Sequence, residues 1–160
     1  MGTQGEEKTV AYLIEQFREA GLEPGGEDGG WTQTVPMIRT KLQAPSLSFR
    51  KGGATTALRF PDDIYLSTVR DVDRARIANA PMVFVGYGVN APERGWDDFK
   101  GVDLKGKIAV VLINDPDFEG GEGDFGGKAM TYYGRWTYKY EEAAKRGAAG
   151  VMVIHEEAPA

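Results

Sequence analysis

The sequence predicts a mixed α/β fold, and three observations carry that expectation. Two segments repeat their apolar residues at helical spacing, much of residues 31–60 alternates apolar with polar, and residues 82–85, 108–113 and 151–154 are short continuous apolar runs. Alternation marks a strand with one wet face, whereas a continuous run marks a strand covered on both.

The first helix is signalled at both ends. Thr3-Gln4-Gly5-Glu6 has the spacing of a capping box, and Val10, Leu13, Ile14 and Phe17 then follow at i, i+3, i+4 and i+7 as one stripe. Arg18 falls in the last turn, and Gly21 stands where a left-handed residue ends a helix. The glycines of residues 25–30 read as turn formers, since a phosphate cradle needs a strand before it and a helix after it.

Residues 31–60 then read as extended chain. Thr32, Thr34, Val35, Ile38 and Thr40 favour strand, and Leu47-Ser48-Phe49 and Ala57-Leu58-Arg59-Phe60 flank Lys51-Gly52-Gly53-Ala54. That is a hairpin with one face buried and one wet. Residues 64–68 are expected to add a strand, and residues 72–79 are too short and too charged to assign.

In the second half a helix lies between the last two apolar runs. Trp136, Tyr140, Ala143 and Ala144 recur at i, i+4, i+7 and i+8 and are assigned to the packed face, with Glu141 to Lys145 and Glu142 to Arg146 as i,i+4 ion pairs. Gly147 stops it. Strand, helix and strand in this order form a βαβ crossover, which makes the two strands parallel and the connection right-handed.

Composition narrows the function classes. One His and no Cys exclude a closed zinc site of Cys and His, a thiol nucleophile and a disulfide framework. A net charge of −5 argues against nucleic-acid binding, which needs a basic face to displace counterions. No apolar stretch approaches the roughly 20 residues that span a bilayer, and Met1 is followed by polar sequence instead of a signal segment, so the chain as given reads as soluble.

Among chemistry-bearing groups, Asp115-Pro116-Asp117-Phe118-Glu119-Gly120 opens like a calcium loop but has Gly126 where a bidentate Glu is required. It reads as a solvated acidic loop, with a weak cation site or a calcium-stabilised β domain as the sharper alternatives. His155 sits at a strand end with no partner visible in sequence, and Ser46, Ser48 and Ser67 lie outside any G-x-S-x-G turn. Gly86-Tyr87-Gly88 follows a strand but lacks the third glycine of a dinucleotide fingerprint. Tyr132, Tyr133 and Tyr138 are expected to be partly exposed and, with Asp115 and Asp117, form the candidate interaction surface.

Phe84-Val85-Gly86-Tyr87-Gly88, then Trp96-Asp97-Asp98-Phe99-Lys100-Gly101-Val102-Asp103-Leu104-Lys105-Gly106-Lys107-Ile108-Ala109-Val110-Val111, and finally Glu142-Ala143-Ala144-Lys145-Arg146-Gly147-Ala148-Ala149-Gly150-Val151 resemble the protease-associated domain inserted in zinc-dependent aminopeptidases of the glutamate carboxypeptidase II and transferrin receptor superfamily. Gly101 and Gly106 let the chain turn twice, with Asp103 able to bond back to backbone N–H groups before a buried strand begins. Ala20-Gly21-Leu22-Glu23-Pro24, followed by a long strand around Thr34-Val35-Pro36, is similar to the opening of the peptidase domain in that family.

The resemblance implies residues 1–50 as an incomplete peptidase-domain start, and residues 51–160 as a β-rich protease-associated domain, with truncation at its C-terminus left open. It implies a secreted or periplasmic parent that hydrolyses N-terminal residues from peptides, with a zinc-bound hydroxide and a Glu base. The family's zinc ligands, including a His-x-Asp motif, follow the inserted domain, so no catalytic or metal residue carries over and His155 is not drafted into that role. The chain by itself is expected to hold no zinc and to be inactive. It would cover the substrate entrance or mediate assembly, with the remainder of the peptidase domain as partner and peptide as the parent's substrate. The rival is a free-standing module that binds peptides or proteins through the tyrosines and the acidic loop.

Overall fold

The structure, a computed structural model, describes residues 2–155. The chain divides into two compact units between Asp73 and Arg74. A division after Arg50 would cut a strand, because Leu47–Lys51 is a single element.

In the N-terminal unit, α1 spans Gln4–Glu19. Thr3 caps it, its hydroxyl accepting from the Glu6 N–H at 3.3 Å, while the Glu6 carboxylate takes the Gly2 N–H instead of completing the box on Thr3. At the other end Gly21 adopts φ +75° and the Leu22 N–H returns to the Phe17 carbonyl at 3.0 Å, a left-handed glycine stop as the sequence anticipates. The stripe is present but bare: Val10, Leu13 and Phe17 are exposed and no residue of α1 is buried. Phe17 stacks on Trp31 at 6.4 Å, and Arg18 lies over the same indole.

The glycines after the helix do form a turn, with the Gly26 N–H bonded to the Gly30 carbonyl and the Glu27 N–H to that of Thr32. Strand β1, Leu47–Lys51, pairs antiparallel with β2, Ala54–Leu58, about a turn in which Gly52 and Gly53 both have positive φ. Leu47 faces Leu58 across the pair, and these with Phe49 are only half-buried, so the expected buried face is partial.

Two expected strands are absent. Residues 32–46 and 64–68 carry no ladder, although Val35 and Ile38 have strand propensity. Pro36 has no N–H to donate, Val35, Met37 and Ile38 stand exposed, and no neighbouring strand offers its edge.

The C-terminal unit holds every buried hydrophobic residue among those described. Its sheet is parallel with order β3-β6-β7, where β3 is Met82–Phe84, β6 is Ile108–Leu112 and β7 is Gly150–Ile154. Helix α2, Trp136–Lys145, connects β6 to β7, which is the crossover the apolar runs predict. A short pair, β4 (Asn90–Ala91) with β5 (Trp96–Asp97), projects between β3 and β6 in sequence.

Register divides the sheet's side chains into two faces. Val85, Ala109 and Val111 form the core with Phe99, Leu104 and Ala143 of α2, while Val83, Val151 and Val153 pack at its margin. The opposite face carries Met82, Phe84, Val110, Met152 and Ile154. There Val110 is buried by its neighbours, but Met82, Phe84 and Ile154 are 44, 60 and 43% exposed. Two-sided cover, expected for all three runs, is therefore reached by the central strand and not by its edges.

The helix face also differs from expectation. Trp136 and Tyr140 are 49 and 44% exposed, and Tyr138, Lys139, Glu142 and Ala143 are buried instead. A small residue at the crossing point lets the backbone approach the sheet, so Ala143 fixes the rotation and sends the two large rings outward. Glu142 pairs with Arg146 as expected, but Lys145 also turns to Glu142, and Glu141 meets the Tyr132 hydroxyl at 3.4 Å. Gly147, at φ +74°, ends the helix.

Candidate functional site

The loops at the carboxyl ends of β3 and β6 gather most of the chemistry-bearing side chains, as they do in open parallel sheets generally. After β3 the chain turns through Gly86 and Gly88, both at positive φ. A Cβ at Gly88 would stand 2.7 Å from Val111 Cγ1, and one at Gly86 3.1 Å from the Asp98 carboxylate, so these glycines serve close packing. Asp98 in turn accepts the Val89 N–H at 3.0 Å. Before β6, Gly101 and Gly106 have left-handed φ and Asp103 accepts the Lys105 N–H at 3.0 Å, the turn anticipated from sequence. That bond, with Lys107 beside it, holds the exposed Asp103 carboxyl below its ordinary range.

The acidic loop after β6 is solvated only in part: Glu119, Glu122 and Asp124 are exposed, whereas Asp115 and Asp117 turn inward. Asp115 is fully buried, and its Oδ2 accepts both the N–H and the hydroxyl of Thr131 at 2.7 Å. Its Oδ1 is buried with no hydrogen-bond partner among the described residues. Asp117 is half-buried and accepts the Phe125 N–H at 2.5 Å. The two carboxylates thus fasten the glycine-rich loop between them and Thr131, and Phe125 seals a second small core with Val89 and Ala91. Among the described residues no group of three His, Cys, Asp or Glu is placed to hold a metal ion.

The expected tyrosine surface is only partly a surface. Tyr132 is 56% exposed and Tyr133 half-buried, whereas Tyr138 is 7% exposed. The Tyr138 hydroxyl accepts the Asn90 N–H at 3.0 Å and donates to the Asn90 carbonyl at 3.2 Å, acting as a side-chain extension of the β4 ladder. Burial raises its pKa. The Tyr133 hydroxyl donates to Glu93 at 2.7 Å, which lowers the Glu93 carboxyl and raises the phenol. Arg94 lies over both Phe125, at 4.8 Å, and Tyr133, at 5.7 Å. Tyr138 and Asp115 therefore leave the candidate surface, which retains Tyr132, Tyr133 and Asp117.

Lys139 is the polar residue that sequence reasoning missed. It is 1% exposed, and its ammonium donates to the Tyr87 carbonyl at 2.5 Å and the Asn114 carbonyl at 2.8 Å, tying the loop after β3 to the loop after β6. Burial pushes its pKa down to about 8, against the opposing pull of Asp115 and Asp98. Nothing in a Lys between two tyrosines and just ahead of Glu141 and Glu142 marks it as core. The only signal was Ala143 four residues on, which places Lys139 on the sheet-facing side once Ala143 is there.

His155 is exposed, as a residue leaving the core would be, with its ring edge-on to Trp136 at 5.3 Å. Beside them a groove of about 410 Å³ is lined by Ile113, Asn114, Met130, Gly134, Arg135, Trp136 and Thr137. A second groove of about 450 Å³ lies wholly in the N-terminal unit against Leu42, Phe60 and Tyr65. No helix among the described residues is long and apolar enough to cross a membrane. Compared with family models, with curated proteins and with solved structures, the chain matches none.

Proposed function

We propose that the chain is the non-catalytic N-terminal and protease-associated portion of a secreted or periplasmic zinc aminopeptidase, shaping the substrate entrance or mediating assembly. One observation supports this reading: the residues that carry the resemblance are those on which the C-terminal unit is built. Gly86 and Gly88 fit against Asp98 and Val111, Asp103 organises the turn into β6, and Phe99, Leu104, Ala109, Val111 and Ala143 make the core. A shared motif whose members serve packing points to a shared scaffold more than to shared catalysis. The peptidase chemistry, the zinc and the peptide substrate belong in this reading to the parent, and no step of hydrolysis is assigned to these residues.

The purified chain, incubated with zinc and an aminoacyl p-nitroanilide, is expected to show neither tight zinc binding nor turnover. One or two equivalents of tightly held zinc together with turnover would refute the proposal. The reading frame downstream of Ala160 supplies a second check. A His-x-Asp motif followed by further carboxylates supports the peptidase reading, and an immediate stop codon favours the rival interaction module.

A further inference from the structure

The groove at the end of β6 combines features that the core does not require. Met130 holds φ +39° and ψ +117°, and Asn114 holds φ +66°; both are non-glycine residues at positive φ, and both line the groove. Asn tolerates positive φ, whereas for Met it is strained. Gly134 is buried, and a Cβ there would meet Met130 Cγ at 2.5 Å and the Asn114 carbonyl carbon at 3.2 Å. The chain thus keeps a strained Met, and a glycine that makes room for it, where the loop meets the end of the sheet.

Trp136 stands 49% exposed in the same groove. Its neighbour Arg135 is the one charged residue in the lining, and no hydrogen bond or ion pair of its guanidinium is found among the described residues. Trp, Met and Arg are the types enriched where surfaces bind, and an unpaired guanidinium offers a two-pronged match to a carboxylate.

We infer that this groove binds the chain-terminal residue of a peptide: an apolar side chain against Ile113, Met130 and Trp136, with its free carboxylate on Arg135. Charge complementarity selects an anion, and the shared lining selects which one. Arg135 borders the same groove as Met130 and Trp136, so a single ligand residue meets the cation and the apolar wall together. A terminal carboxylate is borne by the same Cα as its side chain, while an acidic neighbour stands another 3.8 Å along the chain. A volume near the lower end of ligand sites suits one such residue rather than a long segment. The inference holds whether or not the parent is a peptidase, since it rests on the groove alone.

The test is an NMR titration of the whole ¹⁵N-labelled chain with three probes: N-acetyl-phenylalanine, its amide, and N-acetyl-Phe-Asp-amide. The free acid should shift the Asn114, Met130 and Thr137 amides and the Trp136 indole saturably, binding about tenfold more tightly than either other probe. Arg135→Gln should bring its affinity down to that of the amide while leaving the β6 and β7 resonances in place, which shows the fold intact. The inference is overturned by no saturable shift at these residues, by equal binding of acid and amide, by equal binding of the aspartyl probe, or by an acid preference that survives Arg135→Gln.

Discussion

The two units invert the usual relation between local signals and burial. The N-terminal unit has the clearer punctuation, with a capped helix, a left-handed glycine stop and a two-glycine hairpin turn, yet none of its described hydrophobic residues is buried. The C-terminal unit has a short helix with no side-chain cap and strands of five residues or fewer, yet it contains both cores and the buried Asp115, Lys139 and Glu142. Local signals thus specify which element forms, and buried area decides how strongly it is held, since burial supplies most of the free energy that offsets ordering the chain.

Substitutions matched across the units should expose that contrast. The largest effect is expected at Phe125, 2% exposed in the second core, where Phe125→Ala should cost about 3–5 kcal/mol in urea unfolding. Phe17→Ala, at 44% exposure in α1, should cost about 1 kcal/mol or less. Equal costs would remove the distinction between the units.

Next comes backbone. Gly88→Ala combines a left-handed φ with a Cβ 2.7 Å from Val111 and should destabilise by about 2–4 kcal/mol. Gly52→Ala, at a similar φ but in open space, should cost only the conformational strain, about 1 kcal/mol.

Lys139 gives a pH signature of the C-terminal unit. In the unfolded chain it keeps its proton to about 10.4, whereas in the folded chain burial brings it down to about 8. Between these values the unfolded state binds more protons, so stability rises with pH. Between about pH 8 and 9.5, before the tyrosines titrate, the gain should be about 1.5 kcal/mol. Lys139→Met should abolish the slope, and a stability that falls across that window in the native chain would contradict the burial of a charged Lys.

The smallest effect is at the helix cap. Thr3→Ala should cost about 1 kcal/mol of local helix stability, read as lost ellipticity and faster exchange in the first turn of α1, with no change in the β6 resonances.

Legibility in the sequence follows the same division. The caps of α1, the hairpin turn and the three apolar runs were all readable, because each depends on residues near one another in the chain. The rotation of α2 was not. Its large aromatic residues repeat at helical spacing, but the contact with the sheet is set by Ala143, and a small residue is silent in a hydrophobicity pattern. The same misreading exposed Tyr138 and left Lys139 unnoticed. Asp115 was misplaced for a related reason, since a carboxylate is buried only where donors meet it, and its donors on Thr131 lie 16 residues away. The strand expected at residues 34–36 failed because propensity without a partner edge makes no ladder. The groove at Arg135 and Trp136 was invisible for lack of any motif, although the exposed tryptophan beside an arginine was present in the sequence.

The central claim, that stability is concentrated in the C-terminal core while the N-terminal elements are held by local bonds, is tested most directly by native-state hydrogen exchange on the intact chain. Amides of residues 109–112 in β6 should open only with global unfolding, and those of residues 9–17 in α1 should exchange at least about 100-fold faster than they do. Equal protection of α1 and β6 would contradict it.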